Sequence, residues 1–133
     1  MNVYVFGNRD SDLDNRAFEI ADKLSKRNND VRFIEIKPNQ DLIPNNKENI
    51  IILDTIYNIK TIKVLNENDI DKIITAPRTS VHDFDLAFQL KYLKKIGKLG
   101  KVTIIGIPQK GRVDYRRIQS ILRKLVAQDM QGS

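Results

Sequence analysis

An almost wholly apolar run, Asn49–Asp54, constrains the fold of this 133-residue chain more than any other feature. A strand with one solvated face alternates apolar and polar residues, whereas a continuous apolar run is typical of a strand covered on both faces in a parallel sheet. The run Val102–Ile107 is of the same kind and is followed by Pro108. The sequence therefore predicts a parallel sheet with helices on both of its faces.

Other segments supply the remaining strands and helices of such a sheet. A buried strand is predicted over Val3–Phe6 and a second strand over Val31–Ile36. The alternating segment Lys60–Leu65 is typical of an edge strand, and it follows Asp54 too closely for a crossover helix, so we expect it to have an antiparallel hairpin partner. Apolar residues at helical spacing predict helices over about 13–26, 84–96 and 113–127, and 73–75 is a candidate short strand.

The order of these elements predicts one domain of the α/β class. We expect a three-layer α/β/α sandwich with a mainly parallel, twisted sheet and an antiparallel edge strand. The sequence contains no internal repeat and no low-complexity linker, so residues 1–130 are assigned to a single domain. Residues 131–133 are expected to form a loose tail.

The composition excludes several classes of protein. The chain has no cysteine, which rules out disulfides and thiolate metal sites. It has no run of 18 apolar residues, so we expect no membrane span. The first ten residues, MNVYVFGNRD, lack the basic stretch and apolar block of a signal peptide. These features predict a cytoplasmic protein.

Positive charge is concentrated in the C-terminal third of the chain. Residues 91–133 hold 11 of the 23 Lys and Arg residues and 2 of the 17 Asp and Glu residues. Such asymmetry fits an acidic partner or nucleic acid, but we favour the more ordinary interpretation, a solvated lysine-rich surface. Aromatic residues do not alternate with the basic ones as a base-stacking surface requires, so we do not expect nucleic acid as the partner.

Three polar sites are predicted to lie at one edge of the sheet, because ligands of parallel sheets bind beyond the carboxyl ends of the strands. Gly7 and Asn8, with an acidic cluster after them, follow the first strand; Asp54 ends the third; His82 precedes the 84–96 helix. Each residue also has a purely structural interpretation. Asp14 would be a favourable charge at a helix N-terminus, Asp54 would be a buried carboxylate with a structural partner, and His82 would make a contact within its loop. Nitrogen and oxygen donors of this kind bind nickel, zinc or another borderline divalent ion, so the residue types do not identify the metal.

Other catalytic schemes lack their motifs. No G-x-S-x-G elbow is present for a serine nucleophile. Neither a P-loop nor G-x-G-x-x-G follows the first strand, where Gly7 supplies one glycine instead of several, and this disfavours a nucleotide-binding domain.

Five segments, taken in order, resemble the hydrogenase maturation proteases. That family opens with a G-x-G-N-like turn and an acidic pair, continues with an apolar strand ending in Asp-Ala, and has a Ser-x-His before a helix and a strand ending in Ile-Gly-Ile. The corresponding segments here are Val5–Asn8 with the acidic cluster, Ala21–Leu24, Ile52–Ile56, Thr79–Asp83 and Val102–Pro108. The match extends over nearly the whole chain.

The resemblance implies an aspartic-type endopeptidase that removes the C-terminal extension of a hydrogenase large-subunit precursor after nickel is loaded. Family members contact that metal with two carboxylates and a histidine, which correspond here to Asp14, Asp54 and His82. The nickel would arrive with the precursor, Gly7 and Asn8 would contact the substrate, and Asp14 and Asp54 are the candidate catalytic groups. We expect a monomer that activates a hydrogenase.

The sequence departs from the family pattern at a few positions. Asp12 competes with Asp14 for the first carboxylate, Asn15 stands where glycine is usual, and Tyr57 stands where a second aspartate often follows. The alternative function is therefore a non-catalytic relative that binds a precursor, a partner protein or nucleic acid through its basic C-terminal half.

Overall fold

The structure is a computed structural model, and it describes residues 1–6, 16–36, 49–56, 59–69, 90–97 and 100–131. Its strands are β1 (Asn2–Phe6), β2 (Arg32–Ile36), β3 (Ile50–Ile56), β4 (Lys63–Asn66) and β5 (Val102–Pro108). Its helices are α1 (Arg16–Ser25), α2, of which residues 90–95 are described, and α3 (Tyr115–Gln131), and a 3-10 turn spans Glu67–Asp69. The predicted strand at 73–75 lies outside the described residues.

The five strands form one sheet in the order β2-β1-β3-β5-β4. Strands β2, β1, β3 and β5 run parallel to one another, and β4 lies at the edge, antiparallel to β5. The predicted class, mainly parallel with an antiparallel edge strand, is confirmed. The hairpin expected between β3 and β4 is absent from the described sheet, because β5 lies between them.

The partner of β4 follows from the composition of the two strands. The apolar strand β5 pairs with β3 over its whole length, from Ile50 opposite Val102 to Ile56 opposite Pro108. With β4 on its other edge, β5 has hydrogen-bonded neighbours on both sides, as a buried strand requires. The alternating strand β4, which exposes Lys63 and Val64, takes the rim of the sheet.

Alternate residues of the strands enter two cores on opposite faces of the sheet. We call these the α1/α3 face and the α2 face. The α1/α3 face buries Ile51 and Leu53 of β3 against helix residues such as Phe18, Leu24 and Ile118. The α2 face buries Ile50, Ile52, Phe6 and Ile104 together with Leu90. Helices on both faces confirm the three-layer architecture.

The helices end where their sequences lose helical character. Helix α1 stops after Ser25, and the Asn28 side-chain amide donates to the Leu24 carbonyl oxygen (2.8 Å), which satisfies one of the last carbonyls. Helix α2 ends before Gly97, whose φ of 74° is a conformation that suits glycine. Helix α3 begins after Asp114, whose Oδ1 accepts from the backbone N–H of Arg117 (3.1 Å).

Helix α3 is longer than predicted and continues to Gln131, which we expected in the loose tail. Gly132 and Ser133 lie outside the described residues. Within the described segments, no helix is long and apolar enough to cross a membrane.

Candidate functional site

The sequence pattern predicted that Asp54 is the last residue of its strand, and this prediction is wrong. Strand β3 continues to Ile56, with Thr55 opposite Ile107 and Ile56 opposite Pro108 on β5. The apolar run ends at Asp54, yet Thr55 and Ile56 are β-branched and favour an extended backbone, and β5 offers them a ladder partner. The carboxylate therefore projects from within the sheet, near its carboxyl edge.

The Asp54 side chain is 3% exposed and belongs to the α2 face, because Ile50 and Ile52 occupy the same face of β3. On β5 it is paired with Gly106. On β1, Val5 is paired with Leu53, so the next residue, Phe6, lies beside Asp54. A carboxylate in such apolar surroundings has to be hydrogen-bonded or matched by a positive charge.

A side chain at position 106, opposite Asp54, would require the Ile56 side chain to move. A Cβ atom there would overlap the Ile56 side chain and would lie 3.4 Å from the carbonyl oxygen of Lys63. The side chain of Ile56 therefore occupies the space that a residue larger than glycine would need. This arrangement sets the apolar border of Asp54 on its β5 side.

Thr55 points to the opposite face from Asp54. Its side chain is 1% exposed, and its hydroxyl Oγ1 has no hydrogen-bond partner among the described residues. The family pattern described above has alanine after the strand aspartate, which would place no hydroxyl in this core. Thr55 is therefore a polar group that the apolar α1/α3 face tolerates at a cost in stability.

Arg16 joins the start of α1 to the end of β5. Its Nη1 donates to the carbonyl oxygen of Pro108 (2.8 Å), and its Nη2 donates to that of Gly111. Gly111 has a φ of 92°, a left-handed conformation that favours glycine and turns the chain back toward α1. The start of α1 is thereby held at the carboxyl edge of the sheet.

Comparison with known proteins identifies the family. The model of the family described as hydrogenase maturation protease (HycI) matches residues 38–131, more than half of the chain. The chain belongs to the hydrogenase maturation protease family. The resemblance stated from the ordered motifs is thus confirmed. No curated protein matches the chain.

A solved structure similar to this hydrogenase maturation protease family member is the hydrogenase maturating endopeptidase HybD from E. coli. The TM-score is 0.59 at 20% sequence identity, and the match covers 99% of this chain and 91% of that one. At this identity the likeness concerns the fold. It confirms the α/β class over nearly the full length of both chains.

The predicted residues of the hydrogenase maturation protease site divide into two groups. Asp54 lies two residues before the end of β3, near the carboxyl edge of the sheet. Gly7, Asn8, Asp14 and His82 lie outside the described residues, and so does Asp12, so their convergence with Asp54 stays a prediction. Within the described part of the chain, no group of three His, Asp or Glu side chains lies close enough to hold a metal ion.

The strand order places the residue before the Gly7 turn of the hydrogenase maturation protease motif beside Asp54. β1 and β3 are neighbouring parallel strands, so Phe6, the residue before Gly7, lies beside Asp54 in the sheet. The range matched by the family model contains Asp54 and His82, whereas Gly7, Asn8 and Asp14 precede it. The assignment of Asp14 therefore rests on the ordered motifs alone.

Sequence reasoning missed two residues that shape this region of the hydrogenase maturation protease fold. The role of Gly106 was not recognised, although a glycine within an apolar strand often indicates a close approach of another group. Arg16 gave no signal at all, because its acceptors, Pro108 and Gly111, are more than 90 positions away in the sequence.

Proposed function

We propose that this chain is the endopeptidase that removes the C-terminal extension of a nickel-loaded hydrogenase large-subunit precursor. Membership of the hydrogenase maturation protease family supports the reaction class. The observation that carries the proposal is the buried Asp54 carboxylate at the carboxyl edge of β3, between two parallel neighbours. Ligands of open parallel sheets bind at this edge.

In this proposal Asp54, Asp14 and His82 contact the nickel, which enters as part of the substrate. Carboxylate oxygen and imidazole nitrogen are suitable donors for a borderline divalent ion. Gly7 and Asn8, which follow β1 in the sequence, contact the precursor backbone. Cleavage then depends on metal loading, because a precursor without nickel has nothing for these three side chains to bind.

Two groups in this set are the candidate catalytic residues, Asp14 and Asp54. A metal ion at such a site polarises a carbonyl or lowers the pKa of a bound water. Carboxylates near it can also hold the proton that the reaction moves. We further propose that the protein acts in the cytoplasm and is a monomer. Sedimentation of the purified chain tests whether it is a monomer.

The test of the site compares Asp54→Asn and His82→Ala with the unmodified protein on a nickel-loaded precursor. The matched control is Asp129→Asn, an equal charge change at an exposed position of α3. Loss of an outer contact of a metal site costs about 10- to 100-fold, so loss of a direct contact should slow cleavage by at least ~100-fold. Unchanged cleavage by Asp54→Asn would remove Asp54 from the site.

The second candidate function is binding without cleavage. The observation that favours it is the outer surface of α3, where Arg116, Arg117, Arg123 and Lys124 are exposed. Such a stripe attracts acidic partners and nucleic acid. Salt-dependent binding to generic duplex DNA, weakened by charge reversal at Arg116 and Arg117, together with no cleavage of any precursor, would favour this function.

A further inference from the structure

A cavity of about 150 Å³ opens at the carboxyl end of β5, on the α1/α3 face of the sheet. Its apolar wall includes Ile62 and Ile107, two residues of the α1/α3 core. Ile107 directly follows Gly106, the ladder partner of Asp54. The cavity and Asp54 therefore lie on opposite faces of one stretch of the sheet, and the cavity is separate from the Asp54 carboxylate.

Positive charge dominates the lining of this cavity. Among the described residues around it, Arg16, Lys60, Arg112 and Arg117 are cationic, and Asp114 is the single carboxylate. Asp114 already accepts from the backbone N–H of Arg117 as the cap of α3. The cations around this small cavity repel one another, and an anion bound among them reduces that repulsion.

Arg16 provides a fixed cation at this cavity. Two of its N–H groups donate to the carbonyl oxygens of Pro108 and Gly111, which are uncharged acceptors. A guanidinium carries five N–H donors, so others remain for a ligand. Because the side chain is already positioned by the backbone, binding an anion costs little additional ordering.

The shape of the cavity selects among anions. Its volume equals that of a cavity that holds one benzene-sized group, so one side chain or one terminal residue fits. An apolar wall beside several cations suits a group with a hydrocarbon part and a carboxylate. Inorganic phosphate has no such part, and nucleic acid would need a longer groove with stacking rings. Tyr115, the nearest aromatic residue in sequence, is half-buried with its ring 5.5 Å from the Lys23 ammonium.

We propose that this cavity binds the carboxylate of an acidic residue in the protein substrate. The inference rests on the proposed function, since a precursor polypeptide is the substrate that passes the carboxyl edge of the sheet. A peptide that crosses this edge contacts Asp54 on one face and the cavity on the other. The cavity thus acts as a specificity site for an acidic residue near the cleaved segment.

The first experiment measures binding directly and needs neither nickel nor cleavage. A fluorescein-labelled glycine-serine peptide with a C-terminal glutamate is titrated with the full-length protein at low salt, and fluorescence anisotropy is recorded. The comparison peptide has an amidated C-terminal glutamine in place of the glutamate. We expect the acidic peptide to bind at least about tenfold more tightly, because only its acceptor carries a negative charge that pairs with the cations.

Variants locate the binding. Arg112→Gln and Arg117→Gln should each weaken binding of the acidic peptide by about fivefold or more, because each removes one cation from the lining. The matched control is Arg123→Gln, which removes the same charge from an exposed position of α3 outside the lining. The control should change binding by less than about twofold. Thermal unfolding of each variant verifies that it folds.

Several results would overturn the proposal. Equal weakening by Arg123→Gln would show general attraction to a basic surface. Equal binding of the two peptides, or competition by inorganic phosphate at lower concentration than by free glutarate, would remove the preference for a carboxylate with a hydrocarbon part. Tighter binding of duplex DNA with the same dependence on Arg112 would assign the cavity to nucleic acid.

The cleavage assay separates this inference from the proposed function. With nickel-loaded precursor, we expect Arg112→Gln to raise KM and to leave kcat unchanged, because the cavity is on the other face from Asp54. If the protein cleaves the precursor but does not bind the acidic peptide, the proposed function stands and the proposed role of the cavity is overturned. Peptide binding by a protein that cleaves no precursor would keep the cavity as a carboxylate site and reject the peptidase.

Discussion

Asp54 on β3 and Gly106 on β5 are directly paired in the parallel ladder, and the side chain of Ile56 covers the glycine. The pair places a buried carboxylate between an aromatic neighbour, Phe6, and a position without a side chain. An apolar border of this kind strengthens electrostatic interactions of the carboxylate, because fewer water molecules screen them. The same border makes the local packing sensitive to small changes.

Gly106→Ala should lower the free energy of unfolding by about 1–3 kcal/mol, because the added methyl group overlaps the Ile56 side chain. Urea denaturation followed by circular dichroism measures the effect. Ile56→Val removes the Cδ1 atom that the alanine would meet, so the double variant should be more stable than the sum of the single changes predicts. Strict additivity would show that Ile56 is not the obstacle.

Thr55→Val should leave stability unchanged or raise it by about 1 kcal/mol. The substitution keeps the branched shape and removes a buried hydroxyl that has no hydrogen-bond partner among the described residues. Thr55→Ser keeps the hydroxyl and opens a small cavity, so it should be less stable than the unmodified protein. A large loss of stability in Thr55→Val, measured in urea, would mean that the hydroxyl makes a hydrogen bond.

Arg16→Met should reduce stability by about 1–3 kcal/mol, because the carbonyl oxygens of Pro108 and Gly111 lose their charged donor. The matched control is Arg27→Met, an exposed arginine beyond the end of α1. Hydrogen exchange of the 109–112 segment should increase in Arg16→Met and not in the control. Equal exchange in both variants would show that Arg16 does not hold this turn.

Glu67, in the 3-10 turn that follows β4, gives the protein a pH-dependent contact with β5. Its carboxylate accepts from the backbone N–H of Val102 (3.0 Å), and this bond, then its own backbone N–H, then Lys101 and Lys94, lower its pKa against the opposing effect of burial. Because the folded pKa is below the ordinary 4.5, the contribution of Glu67 is fully present above that pH and is lost as the pH falls through the lowered pKa.

The stability difference between the unmodified protein and Glu67→Gln should therefore be largest at pH 6–7 and should shrink below about pH 4.5. Thermal unfolding over this pH range measures it. Asp22→Gln, at an exposed position of α1, serves as a control for carboxylate removal elsewhere. A difference that grows as the pH falls would contradict the lowered pKa of Glu67.

The sequence predicted the sheet well because burial on both faces leaves a clear hydrophobic pattern. The runs around Ile52 and Ile104 identified the central strands, and the alternation near Val64 identified the edge. Hydrophobicity does not report hydrogen bonding, however, so the end of β3 was placed at Asp54 instead of Ile56. Strand β4 pairs with β5 because β5 lies between β3 and β4 in the sheet, and no local sequence pattern predicts that strand order.

The candidate site was predicted in part for the same reason. Asp54 was found because a charge at the end of an apolar run contrasts with its neighbours. Arg16 acts through contacts with residues distant in sequence and does not differ locally from an ordinary surface cation. Gly106 stands within an apolar strand, and this local signal of a close approach was not used. The basic cavity was visible only as an excess of charge in residues 91–133, since two of its four cations, Arg16 and Lys60, come from the other part of the chain.

The most direct test of the central claim is the mass of a hydrogenase large-subunit precursor after incubation with this protein. Two samples are compared by mass spectrometry, one loaded with nickel and one metal-free, each from the same source as the protein. The account predicts loss of the C-terminal extension from the nickel-loaded precursor alone, and no loss with Asp54→Asn. Full-length precursor in every sample, or equal cleavage with and without nickel, would contradict it.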